Sequence, residues 1–237
     1  MTKQVKSKQR VADHGEVFTA EHEVNAMLDL VKQETERIDS RFLEPACGDG
    51  NFLAEILRRK MVVVKANYRR STADYEKYAV LAVTSIYGID ILQDNVDACR
   101  KRLFDIWNEE YTACCKKDTS DECRDAVRFI LSRNILCGNA LSLEQVDDNG
   151  QDTGEPIIFS EWTFVMGSLI KRRDFRLDVL MRENEDAKNY DTQLSLFEND
   201  ANNADLWEED PVTHQPIPKP IRVYPPTDYR RLQAYDE

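Results

Sequence analysis

Residues 42–53, FLEPACGDGNFL, constrain the fold of this chain more than any other stretch. Phe42 and Leu43 form a short apolar run into an acid, Glu44. Gly48 and Gly50 then space a turn, and NFLAEILRRK is rich in helix formers. The order is strand, tight loop, helix. Glycine lacks the Cβ that forbids positive φ and keeps other groups away from the backbone. A loop that opens directly into a helix presents free N–H groups, a ready site for a carboxylate or phosphate. An ordinary β–α turn would need no more than two glycines. The acid at the strand end and the Pro-Ala-Cys spacer set this loop apart, and it is not the dinucleotide pattern G-x-G-x-x-G.

A second strand signal follows in AVLAVTSIYGIDI, ending at Asp90, with a helix starting directly after it in ILQDNVDACRKRLFDIWNEE. In nucleotide-binding α/β folds an acid at the end of the second strand accepts from ribose hydroxyls. Such an acid usually lies about 20 residues past the glycines, whereas Gly50 to Asp90 is 40. The Arg-, Tyr- and Lys-rich stretch 61–78 reads as an insertion that supplies the excess without separating the two strands. An Asp here is also a common turn former, but with YGIDI intact the ribose role is favoured. Residues 120–132 read as a helix and NILCGNAL, 134–141, as strand three. Upstream, GEVFT at 15–19 precedes a segment in which Val24, Met27, Leu28 and Val31 recur at helical spacing. Thr19 is positioned as its N-cap.

The motif FLEPACGDGNFL resembles the (D/E)PACGxGxFL loop of S-adenosylmethionine-dependent DNA methyltransferases of the adenine-N6 class. That resemblance, over residues 14–141, implies a Rossmann-like α/β fold with a doubly wound, mostly parallel sheet, here truncated, and S-adenosylmethionine as cofactor. By analogy Glu44 lies near the cofactor's ammonium group, and Pro45, Ala46, Cys47, Gly48 and Gly50 pass beside its methionine and ribose. Asp90 and Ile91 face the ribose. Asn139 and Ala140 lie near the adenine amino group; the family usually has Asp at 139, and Asn keeps the acceptor oxygen without the charge. G-x-x-F-T-A at 15–20 is similar to a G-x-x-F-T-P motif that closes over the cofactor, adding Phe18 and Thr19 to the site. Ala20 stands where the family has a first-turn proline, which is a preference only.

In the family the catalytic segment comes last, as a strand ending in (D/N)PP(Y/F) that orients a flipped base. This chain contains no such tetrapeptide. Tyr224-Pro225-Pro226 has no Asp or Asn before its prolines, and PIPKPIRVYPP reads as an irregular polyproline-like stretch. Residues 157–180, with Trp162 and Phe164, offer an apolar strand that either covers a truncated sheet edge near strand three or leaves that edge to another protein. No catalytic residue is assigned. The reading is an enzyme methylating adenine in DNA in a restriction-modification or phage-defence setting. The alternatives are a degenerate cofactor-binding subunit whose partner chain supplies base recognition or catalysis, and a methyltransferase for a non-DNA substrate.

The net charge of −12 runs against phosphate binding, but its distribution is uneven. Residues 1–146 carry 22 Lys and Arg against 24 Asp and Glu; residues 147–237 carry 10 against 20. Three segments are expected: a basic flexible arm over 1–13, a domain over 14–180 that the resemblance implies is methyltransferase-like, and an acidic, Pro-rich and largely irregular tail over 181–237. Within that tail Gln193, Leu194, Leu196 and Phe197 stand out as QLSLF. They either dock on the protein's own core or, as the resemblance to the bacterial sliding-clamp pentapeptide implies, bind the replication clamp. Apolar runs such as MVVV at 61–64 are too short to span a bilayer, and the polar N-terminus lacks the apolar core of a secretory signal. A cytoplasmic protein without a membrane partner is expected. Cys114, Cys115 and Cys123 have no fourth ligand at metal spacing, so no metal is assigned and the six cysteines read as reduced and structural.

Overall fold

The computed structural model describes residues 7, 10, 19–186, 206–211 and 213–235, with backbone only over 182–186. Phe18 and the pentad Gln193, Leu194, Leu196 and Phe197 lie outside the described residues. The chain is mixed α/β, built on a three-stranded parallel sheet in the order β1 (Phe42–Glu44), β2 (Ile86–Asp90), β3 (Ile135–Cys137). β1 pairs with β2 in parallel with Phe42 opposite Ile86, and β2 with β3 with Gly88 opposite Ile135. The strand order runs one way. A doubly wound sheet reverses direction at a switch point, and among the described residues this parallel sheet has no such reversal.

The crossovers are helical. α3 (Asn51–Tyr68) starts at Gly50 in a left-handed conformation, with Leu53, Leu57, Met61 and Val64 buried at three- and four-residue steps. α4 (Thr72–Thr84) is capped by Ser71 Oγ, which accepts from the Asp74 N–H. α5 (Gln93–Cys115) buries Val96, Cys99, Leu103, Trp107 and Tyr111, and α6 (Asp121–Asn134) is capped by Ser120. The expected insertion at 61–78 is thus the second half of α3, a tight turn and the start of α4. β1 and β2 stay adjacent because the added residues fold back as a helical pair.

Side chains of β2 alternate between the two faces, as a pleated strand requires. Ile86 and Gly88 meet the helices; Tyr87 and Ile89 meet a second apolar cluster containing Ile157, Phe159 and Leu177. That second face is covered by an antiparallel hairpin, β6 (Ile158–Met166) and β7 (Leu169–Arg176), followed by α7 (Leu177–Asp186). Residues 157–180 therefore do not extend the parallel sheet at its strand-three edge. Ile157 and Phe159 pack on its second face, while Trp162, Phe164 and Ile170 join the helix-side core, where the Trp162 indole donates to buried Asn134 at 2.8 Å. A smaller hairpin, β4 (Glu144–Val146) and β5 (Asp152–Pro156), follows β3.

The described part of the tail is more ordered than its composition suggests. β8 (Trp207–Glu209) pairs with β9 (Pro216–Pro218), and β10 (Arg222–Val223) and β11 (Thr227–Asp228) both pair with β7. The PIPKPIRVYPP stretch is therefore not a free polyproline segment: Tyr224 is buried, its N–H donates to the Arg172 carbonyl and its hydroxyl to Asp174. A final 3-10 turn (Tyr229–Tyr235) places Tyr229 and Leu232 in the main core. There the Glu76 carboxylate accepts from Tyr111, from Tyr229 at 2.8 Å and from Arg230 at 2.6 Å.

Candidate functional site

The sequence-assigned residues that are described gather at the carboxyl ends of the three parallel strands. β1 ends at Glu44, half-buried, and burial pushes its carboxyl above the ordinary value. The loop then turns back over β2: Cys47 N–H donates to the Ile89 carbonyl at 2.8 Å, and Gly48 N–H donates to Asp90 Oδ2 at 2.9 Å. Gly48 has φ 53° and Gly50 φ 87°, so the turn uses the conformations that glycine permits. Pro45 and Ala46 are exposed on the outer side of this turn.

The two glycines do different work. A Cβ on Gly50 would lie 2.7 Å from Cys99 Sγ, so this glycine lets the loop and α5 approach. Gly88, unassigned in the sequence, has the same role within β2: its Cβ would lie 2.8 Å from Leu53 and 3.1 Å from Cys47. Hydrogen bonding with Cys99, together with burial, pushes the Cys47 thiol well up, so it packs as a neutral group.

Asp90 is the hub. Its Oδ2 takes the Gly48 N–H, while its Oδ1 takes the Leu92 N–H at 2.9 Å and Asn95 Nδ2 at 3.1 Å. Its own carbonyl accepts from the Gly138 N–H at 3.0 Å, which ties the exit of β3 to the same point. A carboxylate offers about four acceptor positions, so one further donor fits. Asn95 was missed in the sequence, although an amide five residues past a strand-end acid, in the first turn of a helix, is a signal for such a contact.

Thr19 does not cap the first helix. α1 (Glu21–Asp29) starts from Ala20, and Glu23 reaches back to the Ala20 N–H at 3.1 Å. The Thr19 carbonyl instead accepts from Asn51 Nδ2 at 3.1 Å, which fixes the chain before α1 against the first residue of α3. From the basic arm, Arg10 reaches Asp94 at 2.6 Å and Asn95 at 3.3 Å, beside the Asp90 cluster.

A cavity of about 570 Å³ lies past the ends of β2 and β3, lined by Ile91, Leu92, Gln93, Cys137 and the turn from Val146 to Gln151. This volume is within the range of small-ligand sites. Asn139 is at its margin in sequence but engaged elsewhere: its Oδ1 accepts from Leu141 N–H and its Nδ2 donates to Asp152 at 3.0 Å. The Asn139 Oδ1 keeps a second acceptor position, so one further donor fits without breaking either bond. Ala140 packs beside the Tyr87–Ile157 cluster.

Comparison with protein families, with curated proteins and with solved structures finds no match. The site is therefore read from its own geometry. Among the described residues the cysteines are free thiols, and no group of three His, Cys, Asp or Glu is arranged to hold a metal ion. No helix among them is long and apolar enough to cross a membrane.

Proposed function

We propose that this chain is an S-adenosylmethionine-binding domain of the DNA adenine-N6 methyltransferase type. The observation that carries the reading is the contact between the glycine loop and the acid that ends β2, 2.9 Å from Gly48 N–H to Asp90 Oδ2 across 42 residues of sequence. The strand, loop and helix order and the neighbouring cavity support it. In this reading Asp90 takes a ribose hydroxyl at its remaining acceptor position, Ile91 and Leu92 line the nucleoside cavity, and Glu44 attracts the ammonium end. Phe18 lies outside the described residues.

Methyl transfer itself is assigned to no residue here. A catalytic strand would continue the parallel sheet after β3, and residues 157–176 instead form an antiparallel hairpin across its face. This favours a second reading in which the chain binds the cofactor and a partner chain supplies base recognition and the transfer residues. The test is S-adenosylmethionine affinity followed by tritium transfer from the cofactor to unmethylated DNA, with wild type and Asp90→Ala. Binding with transfer supports the complete enzyme. Binding without transfer supports the partnered subunit, and absence of binding removes both.

A further inference from the structure

A groove of about 440 Å³ opens along the free side of β1, lined by Leu43, Tyr87, Phe159, Phe175, Leu177 and Met181 among others. Among the described strands β1 pairs only with β2. Phe42 N–H donates to the Ser85 carbonyl on the β2 side, so the main-chain groups of Leu43, the next residue, point to the open side. Leu43 is 41% exposed. An edge of this kind is a template for another extended segment. Pro45 has no N–H to offer, which keeps the edge short and suits it to a short segment.

The side chains along this edge define a pattern. Leu43 lies opposite Tyr87 in the ladder, and both side chains line the groove. Arg41, two residues earlier, lines it too, as the two-residue period of an extended chain requires. There Arg41 and Arg173 share the single carboxylate of Glu161. Arg41 Nη2 donates to Oε1 at 2.6 Å and Arg173 Nε to Oε2 at 2.8 Å. No other charged side chain among the described residues lines the groove, so it keeps an excess of one positive charge. The chain as a whole carries −12.

We propose that this groove binds an extended peptide of another protein, laid antiparallel to β1, with an acidic residue two positions after an apolar one. Antiparallel pairing is the slightly more stable of the two arrangements. The peptide residue opposite Leu43 exchanges main-chain hydrogen bonds with it and places its side chain on the same face, in the apolar groove. Two residues on, the next side chain of that face comes opposite Arg41, and its carboxylate meets the guanidiniums of Arg41 and Arg173. The residue between them faces the other way and is left unspecified. In recognition by strand addition the main-chain bonds give affinity and alternate side chains give specificity. A small apolar acid would use the groove and the charge but not the main chain of Leu43. The inference stands apart from the cofactor reading, because Asp90 and the glycine loop take no part in it.

Selection of a random eight-residue peptide library on the full chain, followed by fluorescence anisotropy of the enriched peptides, tests it. The expected consensus is apolar-x-Asp/Glu. Arg41→Glu reverses the local charge, so the acidic peptide is expected to bind at least about tenfold more weakly and its Lys counterpart more tightly. Leu43→Pro removes a donor that the parallel sheet does not use, and is expected to weaken the peptide by a similar factor with an unchanged circular dichroism spectrum. In wild type, bound peptide is expected to slow exchange of the Leu43 amide, a reading that needs no variant. A library that yields no such consensus overturns the proposal, as does Leu43 exchange indifferent to bound peptide. Affinity lost in Arg41→Glu but kept in folded Leu43→Pro also overturns it and marks a pocket for a small apolar acid. Affinity kept in folded Arg41→Glu overturns it too.

Discussion

Two buried ionisable side chains carry the sharpest consequences at the scale of single residues. Asp90→Ala leaves the Gly48, Leu92 and Asn95 donors without their acceptor, a loss of about 3 kcal/mol. Urea unfolding measures that loss, and cofactor titration on the folded fraction measures the accompanying drop in affinity. Lys60 is fully buried and donates to the carbonyls of Ile38 and Ser40 and to Ser85 Oγ. Burial pulls its ammonium down to about 7. The unfolded chain, with an ordinary lysine, therefore binds more protons than the native state above that pH, and stability rises with pH. The usable window is about pH 7 to 8.5. Higher up, the thiols of the unfolded chain ionise while buried ones such as Cys115, pushed up to about 12, do not. Wild type is expected to gain about 1–2 kcal/mol across the window, and Lys60→Met to lose that slope. Urea midpoints at four pH values decide it.

At the scale of elements, the glycine loop and the C-terminal strands are the joints. Gly50→Ala combines a strained φ with a clash against Cys99, and is expected to cost about 2–3 kcal/mol. Adding Cys99→Gly recovers part of this, because it removes the clash and leaves the strained φ. A double-mutant cycle by thermal unfolding reads the coupling. Glu76→Ala removes the acceptor shared by two tyrosine hydroxyls and the Arg230 guanidinium, costing about 3–5 kcal/mol and freeing the last 3-10 turn to early proteolysis. The strand, loop and helix at 42–68 and the strand ending at Asp90 were legible in sequence because their signals are local: glycine spacing, an acid at a strand end, apolar residues at helical steps. The pairing of β7 with residues 222–228 was not. Its partners are about fifty residues apart, β10 and β11 are two residues each, and prolines between them disguise the alternation. The bond of Asn139 to Asp152 was hidden for a similar reason, since it depends on how the β4–β5 hairpin folds back.

Across the whole molecule the parallel sheet separates two kinds of cover. Helices α3 to α6 pack on one face; Ile157, Phe159 and Leu177 cover the other, and the far part of the β6–β7 hairpin reaches the helix-side core through Trp162 and Ile170. The carboxyl ends of the strands, with the loop, Asp90 and the adjoining cavity, are left at one end. The groove along the open side of β1 is a separate feature. The proposed function requires that end of the sheet to take the methyl donor. Isothermal calorimetry of the full chain with S-adenosylmethionine tests this most directly. Saturable one-to-one heat with wild type, strongly weakened in folded Asp90→Ala, is the result predicted here; no heat with folded wild type would contradict it.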